Sequence, residues 1–242
     1  MVTWMHAFID VGADDVEPTC AFWSAVTGWP VGAPWPGNPE FHSLEPPAGS
    51  AYLHVQRIEG PPRVHLDLMS GDVDADRDAH VAAGATAVER YQWWQVMASP
   101  GGLPYCLVTE RHTRTRPRAS HWPQGHRSRM AQVCVDIPAD RFDREVAFWR
   151  TVTGWPSEGS RRPEYDRLRP PVECPVFFLL QRLGPGENGP VRVHLDIGTD
   201  DVPAESERVR ALGAHPQDTT HPWAVFTGPA GLPFCVTPRP PE

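Results

Sequence analysis

Ala21-Phe22-Trp23, followed after two residues by Val26-Thr27-Gly28-Trp29-Pro30, returns as Ala147-Phe148-Trp149 and Val152-Thr153-Gly154-Trp155-Pro156. Arg63-Val64-His65-Leu66-Asp67 returns as Arg192-Val193-His194-Leu195-Asp196, and Gly102-Leu103-Pro104-Tyr105-Cys106 as Gly231-Leu232-Pro233-Phe234-Cys235. The offset is 126 in the first block, 124 at Pro39-Glu40 and Pro163-Glu164, and 129 from Arg63 onward. Slips confined to Pro- and Gly-rich stretches are what loop insertions between shared elements produce. The chain is therefore two copies of one domain. The boundaries read as 1–110 and 130–242, joined by 111–129.

The 242 residues divide into two domains, each large enough for a core of its own. A net charge of -8 and the absence of lysine give no general basic surface for nucleic acid. The exception is the connector, which carries Arg111, Arg114, Arg116, Arg118, Arg127 and Arg129 among prolines and reads as a solvated linker with no part in ligand binding. No apolar run reaches the ~20 residues of a membrane span, and Met1-Val2-Thr3-Trp4 opens no export signal. Five cysteines without a CxxC pair argue against a disulfide framework. The expected setting is the cytoplasm, with a small-molecule ligand, neither nucleic acid nor membrane as partner, and an internal pseudo-dimer, with monomer or higher assembly both open.

Within a copy, 4–11 alternates as a strand. Asp14 or Asp15 can cap a helix whose face is Val16, Cys20, Trp23 and Thr27, ended by Gly28; Phe142, Val146, Trp149 and Thr153 repeat that face. Strands follow at 41–44 and 51–57. The order then restarts with a strand at 63–69, a helix capped by Asp72 over 73–83, and strands at 86–89, 95–98 and 105–109. One helix per run of antiparallel strands is an α+β arrangement. Trp23, Trp29, Trp149 and Trp155 read as helix-packing core residues.

On these motifs, with Leu212-Gly213-Ala214 and the turns Ser99-Pro100-Gly101-Gly102 and Gly228-Pro229-Ala230-Gly231, the chain resembles the vicinal-oxygen-chelate superfamily, the glyoxalase and bleomycin-resistance fold. The resemblance implies two tandem glyoxalase-like domains, each of two βαβββ modules forming a curved eight-stranded cup. It also implies a divalent metal held by histidines and glutamates on the first and last strands of modules. Carried over by position, those ligands fall on His6, Gln56, His65 and Cys106 in copy one, and on Gln132, Gln181, His194 and Cys235 in copy two. With glutamate replaced by cysteine and no carboxylate left in the set, the expectation is a chain without cofactor. The alternative is one divalent metal in the first domain, on His6, His65 and Cys106.

His65 with Asp67, and His194 with Asp196, share a strand face. Each pair reads either as a histidine oriented for acid-base work, with His65 and Asp67 catalytic, or as a structural hydrogen bond. The candidate ligand-binding residues are His6, Tyr52, His54, Gln56, His65 and Trp94 in copy one, and Gln181, His194 and Trp223 in copy two. The leading functional reading is a binding protein of the resistance or sequestration type for an aromatic or apolar metabolite. The alternative is an enzyme of the same superfamily: a metal-dependent lyase, isomerase or dioxygenase, or a metal-free His/Asp catalyst.

Overall fold

A computed structural model describes residues 1–109, 113–160 and 162–242; Arg111, at the start of the connector, lies outside them. The first copy contains β1 (Met5–Val11), α1 (Val16–Thr27), β2 (Phe41–Ser43), β3 (Leu53–Arg57), β4 (Arg63–Ser70), α2 (Val73–Ala82), β5 (Thr86–Arg90), β6 (Trp94–Ala98) and β7 (Pro104–Thr109). After the short β8 (Ser120–His121), the second copy contains β9 (Arg127–Ile137), α3 (Phe142–Thr153), β10 (Tyr165–Leu168), β11 (Phe177–Arg182), β12 (Arg192–Thr199), α4 (Val202–Ala211), β13 (His215–Asp218), β14 (Ala224–Thr227) and β15 (Pro233–Thr237). The strand orders are β2-β3-β1-β4-β7-β6-β5 and β10-β11-β9-β12-β15-β14-β13, with β8 paired to β9. Both sheets are open and have the same order, so the α+β, tandem-domain reading holds.

Each sheet path has seven strands rather than eight, for a local reason. The strand expected after the first helix of each copy shrinks to a single bridge, Val31 to Leu44 and Ser157 to Leu168. Pro30, Pro34 and Pro36, and Pro156 in the second copy, have no N–H to give to a ladder. What remains is short pairing such as Gly32 N–H to the Ser43 carbonyl (2.8 Å) and Glu158 N–H to the Arg167 carbonyl (2.8 Å).

The repeated Thr-Gly-Trp is a helix stop. Thr27 Oγ1 donates to the Trp23 carbonyl (2.7 Å) and accepts from Trp29 N–H (3.2 Å), while Gly28 turns left-handed at φ 73°. Thr153, Trp149, Trp155 and Gly154 repeat every part of it, with Gly154 at φ 69°. Glycine accepts that conformation at no steric cost, and the tryptophan that follows is carried straight into the core. Asp15 takes the N-cap position of α1, but its side chain makes no cap bond because a 3₁₀ turn (Ala13–Asp15) leads in. Asp72 does cap α2, accepting from Asp74 and Ala75 N–H.

The compact units do not coincide with the copies. Met1–Ala7, His65–Arg114 and Val133–Val193 form one; Phe8–Val64, Thr115–Gln132 and His194–Glu242 form the other. In the first unit Tyr105 packs on Trp149 (5.3 Å between ring centroids), and Trp149 on Phe178 (5.3 Å). In the second, Phe234, the counterpart of Tyr105, packs on Trp23 (5.5 Å) and Phe22 (5.8 Å). The repeated aromatic in the Gly-Leu-Pro-Tyr/Phe-Cys motif is thus the hub of each unit's core.

Tyr105 also holds His80, whose Nδ1 lies 2.9 Å from the phenol oxygen in a buried pair. Burial pushes His80 down to about 4, only partly opposed by Asp76. Between pH 6.5 and 4 the unfolded chain binds a proton that the folded chain refuses. This contribution to stability is therefore intact above pH 6.5 and is lost as pH falls through that window. Thermal melts from pH 4 to 7 should show a slope that His80→Gln reduces by roughly one proton, on the order of 1.4 kcal/mol per pH unit; an unchanged slope would assign it elsewhere.

In the second unit Thr19 is 1% exposed, and its Oγ1 has no hydrogen-bond partner among the described residues. Thr19→Val should therefore raise stability by about 1 kcal/mol, since it removes an uncompensated buried hydroxyl. A drop in melting temperature would mean the hydroxyl has a partner.

The connector is docked at some of its described residues and solvated at others: Pro117, Ala119 and His126 are buried, whereas Thr115, Arg118 and 123–125 are exposed. Ser50 N–H donates to the Thr115 carbonyl (2.7 Å), and Thr115 N–H to Ser50 Oγ (3.1 Å). A Cβ at Gly49 would lie 2.9 Å from the Pro117 backbone, so the approach needs glycine there. Further on, Arg208 stacks over the Trp122 ring at 3.6 Å and forks onto buried Glu205.

Candidate functional site

β4 runs parallel to β7 with Asp67 opposite Cys106, and β6 runs antiparallel to β7 with Val96 opposite Cys106 and Trp94 opposite Val108. Side chains alternate across a strand, so His65, Asp67, Cys106, Val96 and Trp94 share one face of the sheet. On β6 that face is the partly exposed one, whereas Gln95 and Met97 point the other way and are buried. The second copy repeats the register: Asp196 opposite Cys235 and Val225 opposite Cys235, with Trp223 two residues before Val225.

These registers bring a nitrogen, an oxygen and a sulfur together twice. One ligand atom each from His65, Asp67 and Cys106 lies within 4.8 Å of the others, and the same holds for His194, Asp196 and Cys235. His65 Nε2 is 3.4 Å from Asp67 Oδ1, and His194 Nε2 is 3.3 Å from Asp196 Oδ1. Each pair is at ion-pair distance. Burial and the charge of Asp67 push the Cys106 thiol up to about 12, against the pull of His65. Without a cation it is a thiol at neutral pH, not a nucleophile.

The expectation that no carboxylate remains for a metal rested on the last strand alone, where cysteine replaces glutamate. Parallel pairing supplies the carboxylate from the next strand: Asp67 and Asp196 stand directly opposite the cysteines. The signal was the repeated Arg-Val-His-Leu-Asp. What it lacked was the register of a strand some forty residues away.

His6 is 7% exposed on β1, edge-on to Trp4, and is not one of the three clustered donors. His54 is buried, stacked on Phe8 at 4.6 Å between centroids, with Nδ1 3.0 Å from Ser43 Oγ. Tyr52 is fully buried, donates to the Met130 carbonyl and accepts from Arg129. Its hydroxyl is therefore committed internally. Gln56 sits half-buried on β3 opposite Phe41. Gln181 accepts from the Cys134 thiol at 3.4 Å. Trp94 stacks on Tyr91 (4.7 Å) and Trp223 on His221 (4.6 Å). Gln132, the counterpart of His6, donates to Asp196 Oδ2 and accepts from Arg239 Nε (2.7 Å). Arg239, in a C-terminal Arg-Pro run, gave no sign of this role in the sequence.

Imidazole, carboxylate and thiolate together suit a cation of the zinc class. Tetrahedral bonds of the usual zinc–nitrogen and zinc–oxygen lengths place two ligand atoms about 3.3–3.5 Å apart, close to the His–Asp separation in each copy. The donor set fits such an ion, and His65, Asp67 and Cys106 would hold it. It does not fit the two-histidine, one-carboxylate triad of non-heme iron oxygenases, because each cluster has one histidine.

The glyoxalase-like domain family matches residues 6–108 and 132–237, and the chain belongs to that family, carrying its domain twice. No curated protein matches it in sequence. Among solved structures it is similar to a mutant 4-hydroxymandelate synthase from Streptomyces coelicolor, at 15% identity over 98% of this chain and 93% of that one, with a TM-score of 0.61. It is also similar to 2,2',3-trihydroxybiphenyl 1,2-dioxygenase from Sphingomonas wittichii (14%, 98% and 90%, 0.61). A third is homoprotocatechuate 2,3-dioxygenase from Arthrobacter globiformis (14%, 98% and 79%, 0.62). These likenesses establish a shared vicinal-oxygen-chelate fold. Among the described residues no helix is long and apolar enough to cross a membrane.

Proposed function

We propose that the chain is an enzyme of the glyoxalase-like superfamily, of the lyase or isomerase type, acting on an oxygen-bearing small molecule at His65, Asp67 and Cys106. The observation that carries this is the cluster itself: three reactive side chains converge on a partly open sheet face, with His65 Nε2 3.4 Å from Asp67 Oδ1. A site built only to hold an apolar ligand has no need of a carboxylate set against an imidazole and a thiol at low exposure. Solved structures of this fold include a synthase and dioxygenases, one of them described as ring-cleaving. The single histidine weighs against the oxygenase branch.

His65, Asp67 and Cys106 would hold a zinc-class cation, which when bound would supply a Lewis acid for a substrate oxygen. Trp94, on the same face, offers a flat wall that orients a planar group beside it. The low exposure of His65 and Cys106 keeps bulk water away from the reacting oxygen.

The test is proton exchange in deuterated water, followed by NMR, for zinc-loaded protein with a panel of α-hydroxy and α-keto carbonyl compounds. Exchange or isomerisation at the carbon next to the carbonyl is expected, and Asp67→Asn should abolish it. Binding seen as shifted resonances without exchange or turnover would restore the sequestration reading.

A further inference from the structure

We propose that Glu89 is a specificity-determining residue, selecting substrates that carry a cationic group, an ammonium or guanidinium, at the far end of a planar ring from the reacting carbonyl. The inference deepens the proposed activity and rests on the reading of His65, Asp67 and Cys106 as its site. Its basis is register. Glu89 on β5 stands opposite Val96 on β6, Val96 opposite Cys106 on β7, and Cys106 opposite Asp67 on β4. Directly paired residues share a face, so these four form one row across the site face of the sheet. At a strand spacing of about 4.8 Å, Glu89 stands about 10 Å along the sheet from Cys106. Trp94 lies on the strand between them, two residues from Val96 and on the same face. A ring reaching from the cluster to Glu89 therefore lies beside its indole.

The Glu89 carboxylate is oriented but not neutralised. The Tyr91 hydroxyl donates to it, a bond that raises the phenol above its ordinary ionisation range. Tyr91 is in turn fixed by stacking on Trp94, with 4.7 Å between centroids and 16° between planes. Glu89 makes no ion pair among the described residues. The neighbouring cation, Arg90, pairs with Gln95, belongs to the opposite face and reaches Asp74. Negative charge is thus presented beside two aromatic rings, the combination that attracts an ammonium or guanidinium. The second copy gives the contrast. Asp218, Val225, Cys235 and Asp196 form the same row, and His221 stacks on Trp223 at 4.6 Å as Tyr91 does on Trp94. There the edge carboxylate is occupied. Asp218 Oδ1 accepts from Thr220 N–H (2.8 Å) and Thr220 Oγ1 (2.7 Å), while Oδ2 faces His221 Nε2 at 3.5 Å. Only the first copy leaves this carboxylate to a ligand, and it is the copy that the proposed activity uses.

The experiment compares two ligands by isothermal titration of the zinc-loaded full chain at neutral pH. One is hydroxymethyl phenyl ketone with a para-aminomethyl group; the other is the same ketone with a neutral para-hydroxymethyl group. The cationic ketone is expected to bind about 3–10-fold more tightly. Glu89→Gln should bring the ratio to one by weakening the cationic ketone alone, and Asp67→Asn should weaken both ketones together. In the unaltered chain, raising salt from about 50 to about 500 mM should shrink the ratio, a reading that needs no variant to fold. A ratio of one in the unaltered chain, with both ketones weakened by Asp67→Asn, overturns the role of Glu89 and leaves the proposed site in place. A ratio removed by Glu89→Gln, with neither ketone affected by Asp67→Asn, keeps the cation contact and removes the proposed site. A preference that survives both Glu89→Gln and salt, or no binding of either ketone, overturns the inference.

Discussion

Glu145→Leu should lower the unfolding free energy by about 3 kcal/mol or more and the melting temperature by roughly 6–12 °C. Glu145 lies on α3 with no exposed surface. It accepts from Ser99 Oγ (3.0 Å), Gly101 N–H and Trp149 Nε1 (2.9 Å). Leucine would strand all three donors in the core of the first unit, and a Cβ at Gly101 would itself run into Val191 and this carboxylate, so the turn has nowhere to go. Burial raises the Glu145 carboxyl, with the three hydrogen bonds pulling the other way. Glu145→Gln should cost less, about 1–2 kcal/mol, because one oxygen still serves the turn while the amide meets Trp149 as donor against donor. Melts showing equal losses for Leu and Gln would mean that packing, not the hydrogen bonds, sets the cost.

His65→Ala should reduce the affinity of the first cluster for zinc by roughly 100-fold or more, and with it any turnover. Residues one layer behind a metal ligand are already worth about 10–100-fold, and His65 supplies the nitrogen itself. Isothermal titration in the His194→Ala background isolates the first cluster, since His194 belongs to both other donor groups among the described residues. Affinity unchanged by His65→Ala would remove His65 from the donor set. His6→Ala should have a small effect, since His6 is not one of the three clustered donors; a loss as large as that of His65→Ala would return the site to the first strand.

The repeat made the fold legible. Identical punctuation at Thr27-Gly28-Trp29 and Thr153-Gly154-Trp155 fixes where each first helix ends, and Asp72 marks where α2 begins, all local chemistry that a sequence carries openly. The missing strand after each first helix was hidden because prolines remove donors without announcing which pairing they forbid. At the site, His65 and Asp67 stood out by their spacing. That Asp67 meets Cys106 depends on parallel register, a non-local property with no signature in either segment. Tyr52 and His54 alternate as pocket residues should, but pairing sends the Tyr52 hydroxyl to the Met130 carbonyl and stacks His54 on Phe8. Alternation names a face; it does not say whether that face is open. Gln132 looked like the loss of a ligand, and only its link to Arg239 and Asp196 gives it a task.

The central claim is that a histidine, an aspartate and a cysteine from two neighbouring strands hold one cation. X-ray absorption at the zinc edge reads this out, on zinc-loaded Cys134→Ser/Cys235→Ser protein in which, of the clustered donor groups among the described residues, only the first keeps its sulfur. The account predicts one sulfur neighbour at about 2.3 Å together with nitrogen and oxygen neighbours at about 2.0–2.2 Å, the sulfur vanishing when Cys106→Ser is added. A shell of nitrogen and oxygen alone in the Cys134→Ser/Cys235→Ser protein would overturn it.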